Sequence, residues 1–176
     1  SYSELIDLPG LAMNTYAVAA ADVNKDGMVD IIIGNSNGNN QLLLNEGDGI
    51  YDSVTDLPGG KLETRTIAVG DVNGDKLVDI VVGNYGQSNQ LILNKDNGIF
   101  LEAKDLSGGR TNSLDLIVAD INGDGMVDIL ITNKYQDNQL LLNEGNGNYS
   151  EVIDLPGGTL SSTSVVVADV NLDGML

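Results

Sequence analysis

The apolar residues of this chain come in short runs divided by clusters of Asn, Asp and Gly. In residues 2–50 four such runs follow one another: YSELIDL, TYAVAAADV, VDIIIGN and QLLLNEG. Between them lie PGLAMN, NKDGM and SNGNN, whose residues supply the backbone freedom and local hydrogen bonds of turns. Each run is too short for a helix of about ten residues, so the pattern predicts strands. AVAAADV is Ala-rich enough to allow a helix. Its counterparts TIAVGDV, DLIVADI and VVVADV are β-branched, and they decide for a strand at all four places.

These counterparts exist because the chain repeats itself. The stretch DVNKDGMVD begins at Asp22 and returns as DVNGDKLVD at Asp71, DINGDGMVD at Asp120 and DVNLDGML at Asp169, always 49 residues on. The units are 2–50, 51–99, 100–148 and an incomplete 149–176. Four antiparallel strands per repeat of about 40–50 residues make one blade of a β-propeller. The predicted fold is therefore all-β: one partial propeller over 1–176, with about three and a half blades of four antiparallel strands. Ala19, Ala21, Gly70, Ala119 and Ala168 place small residues on the second strand, which suits a crowded position near a central axis.

Composition narrows the function. Eight Lys and Arg against 26 Asp and Glu give a net charge of -18, which repels phosphate and anionic membrane surfaces. The chain is predicted to bind no nucleic acid and to insert in no membrane, since no apolar run approaches the roughly 20 residues of a spanning helix. Cys and His are absent, which removes thiol nucleophiles, His-based triads and the usual zinc ligands. The four stretches hold 11 of the 26 carboxylates. Such crowding is unfavourable unless a cation sits among them.

The D-x-N-x-D-G-x-x-D loop between two hydrophobic strands, followed by NQLLLNEGDG, resembles the FG-GAP/VCBS repeat family, of which the integrin α-chain propeller is the best-known relative. The similarity covers essentially the whole chain. The Phe-Gly and Gly-Ala-Pro tags of the integrin type are not present, so the VCBS-like branch is nearer. The resemblance implies a propeller, often of seven blades, with calcium loops joining the first and second strands of each blade.

Calcium takes six to eight oxygen ligands in a flexible shell. Loop positions 1, 3, 5 and 9 offer side-chain oxygens and position 7 a carbonyl. The expected ligands are Asp22, Asn24, Asp26, Met28 and Asp30 in the first loop, and Asp120, Asn122, Asp124, Met126 and Asp128 in the third. The second offers Asp71, Asn73, Asp75, Leu77 and Asp79, but Lys76 replaces Gly at a turn position and adds a repelling cation, so a weaker site is expected. The fourth, Asp169, Asn171 and Asp173, is incomplete. An EF-hand needs Glu at position 12 and helical flanks; Ile33, Val82 and Ile131 stand there instead.

Other columns read as structure. Tyr2, Tyr51, Phe100 and Tyr149 suit packing between blades, and Asp7, Asp56, Asp105 and Asp154 suit a capped turn. Asn40–Gln41, Asn89–Gln90 and Asn138–Gln139 suit pairing with backbone at strand starts. Tyr85 and Tyr135, in turns that vary between units, are the expected contact-making aromatics. Asn148-Tyr149-Ser150 is a glycosylation sequon, which points to an extracellular or cell-surface setting.

Three function classes follow. The first is a non-catalytic calcium-binding module for adhesion or assembly with a protein partner. The second is a calcium-dependent lectin that binds glycans through its turns, and the most remote is a glycoside-active enzyme. An arc of this size is expected to need further blades or another subunit to close.

Overall fold

The structure is a computed structural model that describes residues 7–9, 13–170 and 174. Every regular element among them is a strand. The first blade is β1 (Asn14–Ala21), β2 (Asp30–Gly38), β3 (Gln41–Leu43) and β4 (Val54–Asp56). The second is β5 (Leu62–Gly70), the two arms of β6 (Asp79–Ile92) and the opening residues of β9 (Lys104–Ala119). A side hairpin, β7 (Asn94–Asp96) with β8 (Ile99–Phe100), decorates it. The rest of β9 with β10 (Asp128–Asn133), β11 (Gln139–Leu142) and β12 (Glu151–Asp154) forms the third.

All pairs are antiparallel, as the predicted hairpin meander requires. The four predicted strands per unit are partly fused. β6 runs without a break through the hairpin between second and third strands, and β9 joins the outer strand of the second blade to the inner strand of the third. Bridges between blades keep the chain extended there: Ser36 pairs with Glu63 and Tyr85 with Asn112. The sheet array ends on β12 and β4 and is not closed, so the chain is a partial propeller.

One departure from expectation follows from the lack of a pairing partner. VVVADV is not a strand: residues 160–168 have no ladder, although they occupy the inner-strand position of a fourth blade. Extended chain becomes a strand by pairing, and among the described residues no strand pairs with 160–168. The first predicted strand, YSELIDL, lies outside the described residues except for Asp7 and Leu8.

The core lies between blades. One cluster joins Val23, Ile32, Leu42 and Leu57 of the first blade to Ile80, Val82 and Ile92 of the second. Another joins Val72, Val81, Leu91 and Leu106 to Leu116, Ile129, Ile131 and Leu141 of the third. Tyr149 is buried in the latter and Phe100 packs against the former, as the aromatic column predicts; Tyr2 is outside the described residues. Stacking faces of alternating strands gives this arrangement, because each strand turns one side to each neighbouring blade.

Candidate functional site

The acidic loops join β1 to β2, β5 to β6 and β9 to β10. The ladder fixes their common end. Ala21 faces Asp30 beside the loop, whereas Asn14 faces Ser36 at the opposite end of the blade.

Inside the first loop the carboxylates accept the loop's own N–H groups. Asp22 accepts from Asp26 (3.1 Å) and Gly27 (2.8 Å), and Asp26 from Met28 (2.8 Å) and the Asn24 amide (2.8 Å). Asn24 Oδ1 accepts from the Asp26 N–H at 3.1 Å. The second loop repeats this, with Asp71 holding Asp75 and Lys76, Asp75 holding Leu77, and Asn73 donating to Asp75. So does the third, with Asp120 holding Asp124 and Gly125, Asp124 holding Met126, and Asn122 donating to Asp124. At the fourth, Gly174 N–H reaches Asp169 at 2.7 Å; Asn171 and Asp173 lie outside the described residues.

The backbone turns left-handed at position 6, with φ of 85° at Gly27, 87° at Gly125 and 69° at Lys76. Lys76 is therefore strained as expected. Position 4 is left-handed too, and there the strained residue is Lys25, at φ 62°, where the other loops have Gly74 and Gly123. Position 4 holds Lys25, Gly74, Gly123 and Leu172 in turn, so no fixed glycine marks it in the sequence.

Position 9 differs from the rest. Asp30, Asp79 and Asp128 are fully buried. One oxygen of each accepts the N–H of loop position 2, from Val23 (2.9 Å), Val72 (3.1 Å) or Ile121 (3.0 Å). The other accepts the N–H of Asn45 (2.9 Å), Asn94 (2.8 Å) or Asn143 (2.9 Å). The aspartate thus clasps the loop's entry to the end of the third strand. Burial pushes the Asp79 carboxyl up to about 6, against the pull of its two backbone donors, and Asp75 and Asp71 add to the rise. Among the described residues no three carboxylates converge into a metal-sized cluster: positions 1 and 5 share the loop mouth, and position 9 faces inward to the backbone.

The asparagine after the third strand escaped the sequence reading. Asn94 Nδ2 donates to Val23 O across the blade junction at 2.8 Å, and Asn143 to Val72 O at the same distance. Each also bonds within its own blade, to Val78 O and Val127 O. One side chain therefore ties each of the first two loops to the following blade. The signal was the repeated Asn in LLLNEG and LILNKD, which looked like an ordinary turn residue.

A family model for the FG-GAP-like repeat matches residues 22–82, 71–131 and 120–176. Each match opens on the first aspartate of a loop, so the acidic loop frames the unit. The chain belongs to the FG-GAP-like repeat family. A search of the curated proteins finds no match. FG-GAP-like repeats build propeller-type interaction modules, typically without catalysis and typical of extracellular proteins.

At the other end of these FG-GAP-like blades a second frame repeats. Asn40, Asn89 and Asn138 accept the N–H of Asn35, Asn84 and Asn133 at 2.8–3.0 Å. The amides of Asn35, Asn84 and Asn133 close the same hairpins onto Asn39, Ser88 and Asp137 carbonyls. Gln41, Gln90 and Gln139 differ from expectation: they hold the side chains of Asp56, Asp105 and Asp154 instead of backbone. Tyr135 stands 67% exposed. Tyr85 is only half-buried, because Arg65 lies over its ring at 5.5 Å and over Tyr16 at 4.0 Å, while pairing with Glu63. Among the described residues no helix is long and apolar enough to cross a membrane.

Proposed function

We propose that this chain is a calcium-stabilised, non-catalytic interaction module that acts outside the cell. The observation that carries the proposal is the threefold loop mouth: two carboxylates and an amide oxygen at positions 1, 3 and 5, presented at one end of each blade. An all-oxygen donor set of this kind suits calcium. Asp22, Asn24 and Asp26 would hold it in the first loop, Asp71, Asn73 and Asp75 in the second, and Asp120, Asn122 and Asp124 in the third. The expected ligands at positions 7 and 9 would complete the shell. A bound cation would offset the repulsion inside each loop and the cost of the buried aspartate beneath it, so the ion supplies rigidity and the protein surface supplies recognition.

The enzyme reading loses support because the repeated carboxylates are engaged in turns and clasps, and function must be argued from a site. The hairpin asparagines that a lectin would turn towards sugar spend their amides within the protein, Asn35, Asn84 and Asn133 on their own hairpins and Asn39, Asn89 and Asn138 on neighbouring segments, which favours a protein partner. Asn148 of the sequon is exposed, in keeping with a secreted setting.

Calorimetric titration with calcium and paired thermal melts test the reading. Calcium that binds the folded state selectively raises its melting temperature, and a chelator reverses the gain. Equal midpoints in calcium and chelator, with no heat of binding, would refute the proposal. Asp26→Ala and Asp124→Ala are expected to lose more bound calcium than Asp75→Ala.

A further inference from the structure

We propose that Asn73 and Asn122 are sites of self-catalysed deamidation, at which the surrounding loop converts the asparagine to aspartate or isoaspartate. Asparagine before glycine is the pair most open to this reaction, because no side chain hinders the glycine nitrogen on its way to the Asn Cγ. The chain has five such pairs: Asn37-Gly38, Asn73-Gly74, Asn97-Gly98, Asn122-Gly123 and Asn146-Gly147. The dipeptides are identical, and the fold sets two of them apart.

Three contacts assist closure of the ring: a base on the glycine N–H, a donor on the oxygen that gathers charge, and a partner for the departing nitrogen. The second loop supplies all three. Gly74 N–H donates to Asp71 Oδ1 at 2.8 Å. Asn73 Oδ1 accepts the Asp75 N–H at 3.0 Å, and Asn73 Nδ2 donates to Asp75 Oδ2 at 2.9 Å. The third loop matches it. Gly123 N–H meets Asp120 Oδ1 at 2.8 Å, Asn122 Oδ1 accepts from Asp124 at 2.9 Å, and Asn122 Nδ2 donates to Asp124 Oδ2 at 2.8 Å. A bond from Oδ1 to the N–H two residues on folds the side chain over the glycine peptide, towards the atom it must join. Gly74 and Gly123 are exposed, and a Cβ on either would meet nothing within 4 Å, so water reaches the ring.

The other pairs lack the base. Asn37, Asn97 and Asn146 are themselves left-handed, at φ 59°, 45° and 54°, and among the described residues no carboxylate accepts from the glycine that follows them. In the first loop Asp22 takes the N–H groups of Asp26 and Gly27, and Lys25 stands where the other two loops have Gly74 and Gly123.

The step needs only water. Gly74 N bonds to Asn73 Cγ and gives its proton to Asp71, which passes it to Nδ2; the Cγ–Nδ2 bond breaks and ammonia leaves. Water then opens the five-membered imide at one carbonyl to give aspartate, or at the other to give isoaspartate. Each product adds a negative charge at loop position 3. Aspartate keeps its oxygen in place, whereas isoaspartate routes the backbone through the side chain and lengthens the turn. On the calcium reading proposed above, on which this consequence rests, the first product strengthens a ligand and the second removes one.

Peptide mass mapping of the folded chain, incubated in chelator at neutral pH, tests this. Asn73 and Asn122 are expected to convert about ten-fold faster than Asn37, Asn97 and Asn146. In urea the five pairs are expected to share one rate. Asp71→Asn keeps an acceptor for the turn and removes the base, so it is expected to slow Asn73 to the rate of the other three pairs and to leave Asn122 unchanged. Lys25→Gly gives the first loop the glycine of the other two and is expected to make Asn24 a third fast site. That variant removes no carboxylate, so it serves if Asp71→Asn does not fold. Calcium is expected to slow both sites. Equal rates in calcium and chelator, with the ranking in chelator intact, would support the chemistry and count against the calcium reading alone. Asn73 and Asn122 converting no faster than the other three pairs, or Asn73 keeping its rate in folded Asp71→Asn, overturns the proposal.

Discussion

The two ends of each blade are framed with equal care and spend their side chains differently. At the loop end every repeated polar group bonds inward: Asp22 and Asp26 to the loop, Asp30 to two strands, Asn94 and Asn143 to the neighbouring blade. At the hairpin end the frame is two asparagines, and the residues between them differ from unit to unit. There the chain carries Ser36–Asn39, Tyr85–Ser88 and Lys134–Asp137, three unlike sequences on one scaffold. Where side chains hold backbone, the unit repeats. Where the frame alone suffices, the unit varies, and variable side chains on a rigid support are what recognition needs.

Removing a clasp should produce the largest effect. Asp128→Ala leaves three inward N–H groups, of Ile121, Asn122 and Asn143, without their acceptor. Unsatisfied buried donors on this scale cost about 3–5 kcal/mol. Asp124→Ala, at the exposed loop mouth, should cost less than about 1 kcal/mol without calcium. Urea unfolding in chelator measures both. Equal losses would erase the distinction between clasp and mouth within the loop end.

The junction tie comes next. Asn143→Ala removes bonds to Val72 O and Val127 O from a buried side chain, for a loss of about 2–3 kcal/mol. Asn45, which bonds Val29 O and Tyr51 within its own blade, should cost about 1 kcal/mol on the same change. Similar losses at the two positions would mean that the tie between blades adds nothing to the bonds within a blade.

The blade, its strand order and its loops were legible because their signals are local: a 49-residue period, alternating faces and turn residues at fixed offsets. The Asn94 and Asn143 ties span 71 positions, and nothing local marks a side chain that bonds across a junction. The fate of VVVADV was equally hidden. Val118 and Val167 belong to one column, yet β9 pairs with β10 and 160–168 pairs with no strand. Strand propensity is the same at both; the partner decides. Tyr85 was misplaced for a related reason. Its exposure depends on Arg65, which comes from a different strand and has no counterpart in the other units.

A smaller change acts on the strained turns of the loop end. Lys76 holds φ 69° where Gly27 and Gly125 stand in the other loops. Lys76→Gly relieves a left-handed residue, worth about 1 kcal/mol before the added freedom of the unfolded chain is subtracted. The melting temperature should rise slightly, and the second loop's calcium affinity should approach that of the third. An unchanged affinity would show that neither strain nor the Lys76 charge distinguishes the second loop.

The smallest effect on stability belongs to the hairpin end, and it separates the two tyrosines. Tyr135 is exposed, and Lys134 lies over its ring at 5.1 Å. An exposed cation–π pair is worth about 0.5–1 kcal/mol at most, and the left-handed Tyr135, at φ 59°, would be no more strained as Asn. Tyr135→Asn should therefore leave the melting temperature within error. Tyr85→Ala removes one of the two rings that stack on Arg65 and frees a guanidinium whose Nε has no hydrogen-bond partner. It should lower stability by about 1–2 kcal/mol. If the hairpin end is the recognition surface, Tyr135→Asn weakens capture of a partner at constant stability, and Tyr85→Ala weakens both together. Equal melting losses for the two would place Tyr135 in the packing and remove it from the proposed contact surface.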